Sequence, residues 1–147
     1  MELTVRIGER ADFDRIVGFL EKAGLGTAGI DEESTRFFLI AEDGAGIKAS
    51  LGIEQFGKSG MLRSLALSPG IGEHELLLLF GQMLLFAKEE GMKSVYLATN
   101  KRSAIPFLEI AGFSMIVKNE LPVEFFNSAH VMDILNVDNS VFMKFSF

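Results

Sequence analysis

The strongest constraint on the fold is one apolar run in the middle of the chain. Residues 76–87 read LLLLFGQMLLFA, with Gln82 inside the run and the charged residues Glu75 and Lys88 at its two ends. The run is well short of the ~20 residues that a bilayer-spanning helix needs. It therefore predicts a buried helix over residues 73–90, ended by Gly91, because glycine suits the left-handed backbone at a helix terminus.

The composition predicts one globular domain that spans residues 1–147. Of the 147 residues, 48% are hydrophobic and 23% are charged, which provides enough apolar surface for a sizeable core. No linker, composition shift or internal repeat divides the sequence. We therefore expect a single domain.

Charge and cysteine content disfavour several classes of function. Fourteen Lys and Arg residues against 20 Asp and Glu residues leave a formal net charge of -6, which disfavours nucleic-acid binding. Cysteine is absent, and the two histidines, His74 and His130, are far apart in sequence, so we expect neither disulfides nor a metal site. The N-terminus has no apolar signal segment, and we expect a cytoplasmic protein that binds no membrane.

Hydrophobic periodicity predicts the element order β-α-α-β-β-β-α-β-α-β-β. The predicted strands cover residues 3–7, 37–42, 47–54, 61–68, 94–99, 113–117 and 141–147. The predicted helices cover residues 11–23, 31–36, 73–90 and 103–110. In the third strand, apolar residues recur at every second position from Ile47 to Ile53. A period of two places Glu54 on the other face, which opens on solvent or a cleft.

The centre of the chain carries motifs of a known superfamily. Residues 61–69 read MLRSLALSP, and residues 96–113 read YLATNKRSAIPFLEIAGF. The first segment resembles the L-x-S-L-A-V-x-P strand of the GNAT superfamily of acetyl-CoA-dependent N-acetyltransferases, and the second resembles its N-x-x-A-x-x-F-Y-x-x-x-G-F segment. The resemblance implies an α/β fold with a mixed, mostly antiparallel central sheet and helices on both faces.

A narrower resemblance covers nearly the whole chain. Residues 23–42 and 51–69, Leu121-Pro122 and residues 140–144 are similar to the amino-acid acetyltransferase branch that accompanies arsenic-resistance operons and borders on N-acetylglutamate synthases. It implies a small-molecule amine or an amino acid as acetyl acceptor. Phe125 and Phe126 lie where GNAT proteins often dimerise or close over substrate, so a homodimer is one expectation and a core or loop-anchoring role is the other.

The GNAT resemblance also implies where acetyl-CoA binds. The pantetheine amides bind the open edge of the fourth strand, which diverges from the fifth strand. The matching positions of the fourth strand are Leu65, Ala66 and Leu67. The matching positions of the second motif are Asn100, Ala104 and Phe107.

The pyrophosphate loop departs from the family pattern Q/R-x-x-G-x-G/A. In one alignment the three key positions hold substitutions, namely Ile71, His74 and Leu76. In the other, Gly70 and Gly72 form the anion loop, and the acidic residues Glu73 and Glu75 that follow repel a pyrophosphate. Two interpretations stay open, a weakened cofactor loop and an ordinary turn before a self-capped acidic helix.

The resemblance and the residue chemistry name candidates for proton transfer. The tyrosine that serves many GNAT enzymes as general acid is replaced by Leu108, which leaves water or the sole tyrosine, Tyr96, unless Tyr96 is a packing residue. Glu54 is the candidate base. The alternative for Glu54 is a solubilising charge on an edge strand.

Two residues are candidates for binding the acceptor. Arg63 could bind a carboxylate through two hydrogen bonds, together with Thr27 of the GTAGI loop. The alternative for Arg63 is a cross-strand ion pair with Glu54. Its neighbour Ser64 is predicted to point to the opposite face of the sheet.

Two functions from different classes follow. The intact fourth strand and Asn100 favour an N-acetyltransferase. The substitutions in the cofactor loop and at Leu108 favour a GNAT-shaped ligand-binding or regulatory module that has lost acetyl-CoA turnover.

Overall fold

One mixed β-sheet organises the chain. The computed structural model describes residues 2–135, 137 and 139–147, and across these residues seven strands follow the order β1-β2-β3-β4-β5-β7-β6. The strands are β1 (Thr4–Ile7), β2 (Phe38–Asp43), β3 (Gly46–Phe56), β4 (Ser59–Leu67), β5 (Ser94–Thr99), β6 (Ser114–Ile116) and β7 (Val141–Ser146). β4 pairs with β5 in parallel, whereas β2 pairs with both β1 and β3, and β7 with both β5 and β6, in antiparallel ladders.

Helices connect these strands. The α-helices are α1 (Phe13–Lys22), α2 (Glu73–Glu89), α3 (Ile105–Ile110) and α4 (Ala129–Leu135). Short 3₁₀ helices cover Arg10–Asp12, Glu33–Phe37, Arg102–Ala104, Lys118–Glu120 and Val123–Asn127. Within the described residues no helix combines the length and the apolar character needed to cross a bilayer.

The predicted fold class is confirmed, and the element order agrees except in two places: the helix predicted over residues 31–36 is a 3₁₀ helix over Glu33–Phe37, and further helices lie between β6 and β7. The sequence prediction left this segment without structure, but the chain forms two 3₁₀ helices there and then α4. The helices end next to the glycines that were predicted to end them. Gly24, Gly91 and Gly112 all have positive φ angles, of 75°, 88° and 106°. The prediction of a single domain stays a prediction.

The chain divides into two compact units. Unit 1 contains the residues up to Ile53 and Arg63–Met83, and unit 2 contains Glu54–Leu62 and Leu84–Phe147. Strands β3 and β4 and helix α2 contribute residues to both. Each unit has its own hydrophobic cluster.

The cluster of unit 1 forms between α1 and its strands. The amphipathic α1 buries Ile16 and Leu20 completely, against Phe38 and Ile40 of β2 and Ala66 of β4. Burying side chains of this size is worth about 1.5–3 kcal/mol each, and this apolar contact accounts for the position of α1.

The cluster of unit 2 is rich in aromatic residues. Tyr96, Phe125 and Phe142 pack together with Met61, Leu121 and Val131. The Tyr96 and Phe125 rings meet edge to face with centroids 5.1 Å apart, the geometry that aromatic pairs prefer. Phe125 is fully buried, so its core role is confirmed, whereas Phe126 is 39% exposed.

Helix α2 is only partly buried, which corrects the prediction of an all-round buried helix. A stripe that includes Leu79, Met83 and Ala87 is buried, but Leu78 and Leu85 are 52% and 54% exposed. The helix therefore packs along one face and leaves apolar side chains on the other.

Strand β3 corrects a second prediction. Its polar positions were expected to open on solvent or a cleft, but Ser50 is completely buried and Gly52 is buried as well. A methyl group added to Gly52 would stand 2.8 Å from the Phe38 ring, so that ring covers the glycine directly. Both faces of β3 are therefore covered at its centre, and β3 is an interior strand of the sheet.

Candidate functional site

The β4–β5 ladder is short. It contains three pairs, from Ser59 with Ser94 to Met61 with Tyr96, although β4 continues to Leu67 and β5 to Thr99. The parallel ladder therefore ends before the carboxyl end of either strand. This agrees with the prediction that the fourth and fifth strands do not stay paired throughout.

Ser64 interrupts the regular geometry of β4. Its φ angle of 58° lies in the left-handed region, which is uncommon for a residue with a side chain. The buried Ser50 hydroxyl donates a 2.9 Å hydrogen bond to the Ser64 carbonyl, and Arg63 Nε donates a 3.0 Å bond to Ser64 Oγ. The prediction that Ser64 points away from Arg63 is therefore wrong, because the left-handed residue breaks the strand alternation.

The alternation resumes after Ser64. Leu65 and Leu67 are 38% and 41% exposed, whereas Ala66 between them is buried in the unit 1 cluster. The following residue, Ser68, donates its backbone N–H to the Lys48 carbonyl at 2.7 Å. The three residues predicted to bind the pantetheine arm thus lie on a well-anchored strand end with exposed side chains on one face.

The turn before α2 is closed by its own carboxylate. Gly70 has a φ angle of 97°, Ile71 donates its N–H to the Ser68 carbonyl at 3.3 Å, and the helix begins at Glu73. The Gly72 N–H points to the Glu75 Oε1 atom, 3.4 Å away. This geometry matches the second interpretation, an ordinary turn followed by a self-capped helix. The Glu75 carboxylate therefore lies against the backbone N–H that a pyrophosphate would need.

Arg63 lies beneath the loop that contains Thr27. Its residue surface is only 8% exposed. In the loop, the Ile30 N–H bonds to the Thr27 carbonyl at 3.1 Å, and Gly29 takes the positive φ (79°) that the third position of a type II turn requires. A methyl group added to Gly29 would stand 3.6 Å from Arg63 Nη1. Unit 1 therefore brings the two predicted acceptor-binding segments together.

Glu54 lies in unit 2, and its neighbours include Ser128 and His130, which the sequence did not reveal. Ser128 Oγ donates a short hydrogen bond of 2.6 Å to Glu54 Oε1, and His130 Nδ1 is 3.6 Å from the same oxygen. The Glu54 side chain is 31% exposed. The alternative of a solubilising charge on an edge strand is wrong, because β3 is interior and Glu54 is held by Ser128.

The remaining candidates also lie in unit 2. Tyr96 is 4% exposed, packs against Phe125, and has the Lys144 ammonium 5.6 Å from its ring centroid, as a packing residue would. Asn100 is exposed just after β5, whereas Ala104 and Phe107 are half-buried around the start of α3. Their roles toward a cofactor stay predictions.

Sequence reasoning missed Ser128 and His130. A signal was present, because Ser128 precedes apolar residues at helical spacing, Val131, Ile134 and Leu135, which is typical of an N-cap followed by a helix. The Val131 N–H does bond to Ser128 Oγ, at 3.2 Å. Among the residues that the structure describes, no group of three or more His, Asp or Glu side chains is arranged to hold a metal ion.

Comparison with known proteins finds a sequence relative and solved structures of similar fold. No model of a protein family matches the chain. The chain is 30% identical over 141 residues to the uncharacterized protein YwlB of Bacillus subtilis (strain 168), and the match covers 95% of each chain.

The solved structures share the fold at low sequence identity. N-acetylglutamate synthase from Neisseria gonorrhoeae, complexed with coenzyme A and N-acetyl-glutamate, matches with a TM-score of 0.73 and 18% identity. That match covers 99% of this chain, which spans 35% of the synthase chain. Rv2747 from Mycobacterium tuberculosis, in complex with CoA and NLQ, matches with a TM-score of 0.75 and 15% identity over 98% of this chain and 99% of that one.

A third structure carries the family name of the fold. An acetyltransferase of the GNAT family from Staphylococcus aureus Mu50 matches with a TM-score of 0.67 and 16% identity over 98% of both chains. At these identities the likeness shows the fold, which is that of GNAT acetyltransferases.

Proposed function

Because the chain belongs to the same family as YwlB of Bacillus subtilis and has the GNAT fold, we propose that it is an N-acetyltransferase. In this proposal it transfers the acetyl group of acetyl-CoA to the amine of a small molecule. The observation that carries the proposal is β4, whose parallel ladder with β5 ends at Met61 and whose last residues continue beyond it. Fold neighbours solved with coenzyme A support the choice of cofactor.

The residues present fit one part of acetyl-CoA better than the other. The end of β4, at Leu65, Ala66 and Leu67, would hold the pantetheine arm through its backbone. The turn at Gly70 and Gly72 would hold the pyrophosphate only after the Glu75 carboxylate leaves the Gly72 N–H. Asn100, Ala104 and Phe107 would contact the rest of the cofactor.

The finer proposal concerns the acceptor. Arg63, buried beneath the loop of Thr27, would bind the carboxylate of an amino acid, because a guanidinium offers a carboxylate two parallel hydrogen bonds. The resemblance to the arsenic-resistance-associated branch supports the same acceptor class. A homodimer and a cytoplasmic location remain part of this proposal.

Proton transfer is assigned to unit 2. Glu54 would take the proton from the acceptor ammonium, directly or through another group, so that the amine can attack the acetyl carbon. When bound, acetyl-CoA supplies the activated acetyl group. Tyr96 or water would supply a proton to the departing thiolate.

One observation favours a second candidate, a ligand-binding or regulatory module without turnover. The Glu75 carboxylate accepts a hydrogen bond from the Gly72 N–H, and the nearby Glu73 adds a further negative charge to the first turn of α2. Both charges oppose a bound pyrophosphate.

The experiment is a paired binding and turnover measurement. Calorimetric titration with acetyl-CoA should show binding. An assay of thiol release with amino acids and simple alkylamines should then show turnover. Glu54→Gln should lower kcat by roughly 100-fold, the usual contribution of a positioned base. Glu89→Gln, which removes an exposed carboxylate at the end of α2, is the matched control and should leave kcat unchanged. If acetyl-CoA binds but none of the tested amines is acetylated, the second candidate is favoured.

A further inference from the structure

The polar cluster around Glu54 contains more chemistry than one carboxylate. Ser128 Oγ accepts the Val131 N–H at 3.2 Å, as the N-cap of α4, and donates its own proton to Glu54 Oε1 at 2.6 Å. Its effect is to hold Glu54 as an ionised acceptor in one orientation, because charge-assisted hydrogen bonds of this length are strong.

His130 is the unexplained member of the cluster. Its Nδ1 atom is shielded from solvent and, among the residues that the structure describes, has no hydrogen-bond partner. The distance of 3.6 Å to Glu54 Oε1 is just beyond hydrogen-bond length. A buried nitrogen without a partner destabilises the fold, and a small approach of the two side chains removes that cost.

The atom that faces Nδ1 determines which nitrogen of His130 carries the proton. Glu54 Oε1 is an acceptor, so the favourable arrangement puts the proton of a neutral imidazole on Nδ1, facing the carboxylate. Nε2 then carries the lone pair. Since Nδ1 is shielded from solvent, proton exchange with a ligand or water must go through Nε2, on a side chain that retains 14% exposure.

We propose that His130, through Nε2, is the group that takes the proton from the acceptor ammonium, and that Glu54 is its positioning residue. This inference rests on the proposed function and assigns its proton acceptor. The ammonium loses one N–H proton to Nε2, and the nitrogen lone pair that is released forms the C–N bond as the C–S bond of the thioester breaks. Once the C–N bond has formed, the nitrogen gives up its second proton to solvent, which leaves the neutral amide. The sulfur leaves as a thiolate, and the imidazolium, stabilised by Glu54, returns its proton to solvent.

Other charged side chains lie on the elements near this cluster. On β7, the Lys144 ammonium lies over the Tyr96 ring. Asp133 on α4 and Glu124 in the preceding 3₁₀ helix are exposed. Glu54, whose Oε1 atom lies 3.6 Å from His130 Nδ1, is the carboxylate on which this inference relies.

The test separates Nδ1 from Nε2 by substitution. His130→Asn keeps an amide near the position of Nδ1, and so its contact with Glu54, but removes Nε2. It should lower kcat by roughly 100-fold, change KM for the amine by less than about threefold, and abolish the acid limb of the pH profile. Asp133→Asn makes the corresponding change of an exposed side chain on the same helix and should behave as the wild type.

A second readout needs no turnover. The chain has two histidines, His74 and His130, so long-range proton–nitrogen NMR spectra resolve both imidazoles. His130 should show the tautomer protonated at Nδ1, and Glu54→Gln should shift it toward the Nε2-protonated form. The exposed His74 is the internal reference.

The outcomes are distinct. Wild-type kcat in His130→Asn, or a His130 tautomer protonated at Nε2, overturns the inference and leaves the proposed function intact. Absence of turnover by the wild type on every amine overturns the proposed function, and the catalytic role of His130 with it. A large loss of kcat in His130→Asn together with the Nδ1-protonated tautomer supports both.

Discussion

Among single residues, Glu75 has the clearest consequence for cofactor binding. It lies in the first turn of α2, where a carboxylate stabilises the helix through its dipole and through the 3.4 Å contact with the Gly72 N–H. The same amide is the natural ligand of a phosphate at a helix start. Helix stability and pyrophosphate binding therefore compete for one backbone group.

Replacing Glu75 should relieve that competition. Glu75→Gln is expected to tighten CoA binding by about 1 kcal/mol, roughly fivefold in Kd, measured by calorimetry at low salt. Glu73→Gln is the matched control, because it removes one charge from the same turn at an exposed position. It should tighten binding by less. Equal effects of the two variants would show that net charge, not the contact with Gly72, weakens the site.

Arg63 tests the class of acceptor. The residue is buried and its Nη1 atom lies close to the Gly29 turn, which suits a group that binds a carboxylate rather than a solvated charge. Arg63→Lys keeps the positive charge but loses the two parallel donors. We expect it to raise KM roughly tenfold for glutamate while leaving KM for a plain alkylamine unchanged, since the lost contact is to a group present in both ground and transition states.

A uniform change in KM would contradict this assignment. If Arg63→Lys raises KM equally for both acceptors, the arginine supports the fold of the loop and does not contact the substrate. Circular dichroism of the variant shows whether that fold is retained.

Among the elements, an ionic network joins β1, α1 and β2 within unit 1. Arg6 donates two 2.9 Å hydrogen bonds to the Asp12 carboxylate and one of 2.6 Å to Glu42. Arg15 bonds to the same two carboxylates, at 2.9 Å and 2.8 Å. The hydrogen bonds from Arg6 lower the pKa of Asp12 to about 2, and those from Arg15 and Arg6 lower the pKa of Glu42.

These shifts predict a loss of stability in acid. A carboxylate whose pKa is lower in the folded chain than in the unfolded chain stabilises the fold above the unfolded pKa, near 4 for Asp, and loses this contribution as pH falls toward 2. For Asp12, whose side chain is 6% exposed, we expect roughly 1–2 kcal/mol. Urea unfolding between pH 6 and pH 2 should show it.

Substitution identifies the group responsible. Asp12→Asn should lower the free energy of unfolding at pH 6 and flatten its fall between pH 4 and pH 2. Asp14→Asn removes an exposed carboxylate two residues later and should leave that fall in place. An unchanged acid slope in Asp12→Asn would assign acid unfolding to other groups.

For the whole molecule, the proposed function predicts stabilisation by its cofactor. A ligand at 100 times its Kd adds about 2.7 kcal/mol to the free energy of unfolding, which in a chain of this size raises Tm by roughly 5–10 °C. Calorimetric melting with acetyl-CoA should show this shift. Acetate and ADP at matched concentrations are the controls, and a shift of equal size with ADP alone would place the binding energy on the nucleotide and not on β4.

The sequence by itself determined the element order, because that information is local. Side-chain periodicity assigns strands and helices, and glycine ends them wherever the backbone must turn left-handed, as at Gly24, Gly91 and Gly112. The GNAT resemblance needed only the motifs around β4 and α3, and the solved folds agree with it. The limit of local reasoning appears at α2, where a continuous apolar run did not reveal that Leu78 and Leu85 stay exposed.

Only the tertiary structure decided what surrounds each polar group. Ser128 and Glu54 are 74 positions apart in the chain, and no local pattern indicates that a hydrogen bond joins them. The left-handed Ser64 accompanies a hydrogen bond from the buried Ser50 of another strand, which strand alternation does not predict. The His130 Nδ1 atom likewise lies 3.6 Å from Oε1 of Glu54, a residue distant in sequence. Distances between distant residues are set by packing, so the chemistry of Glu54 and His130 became visible only in the folded chain.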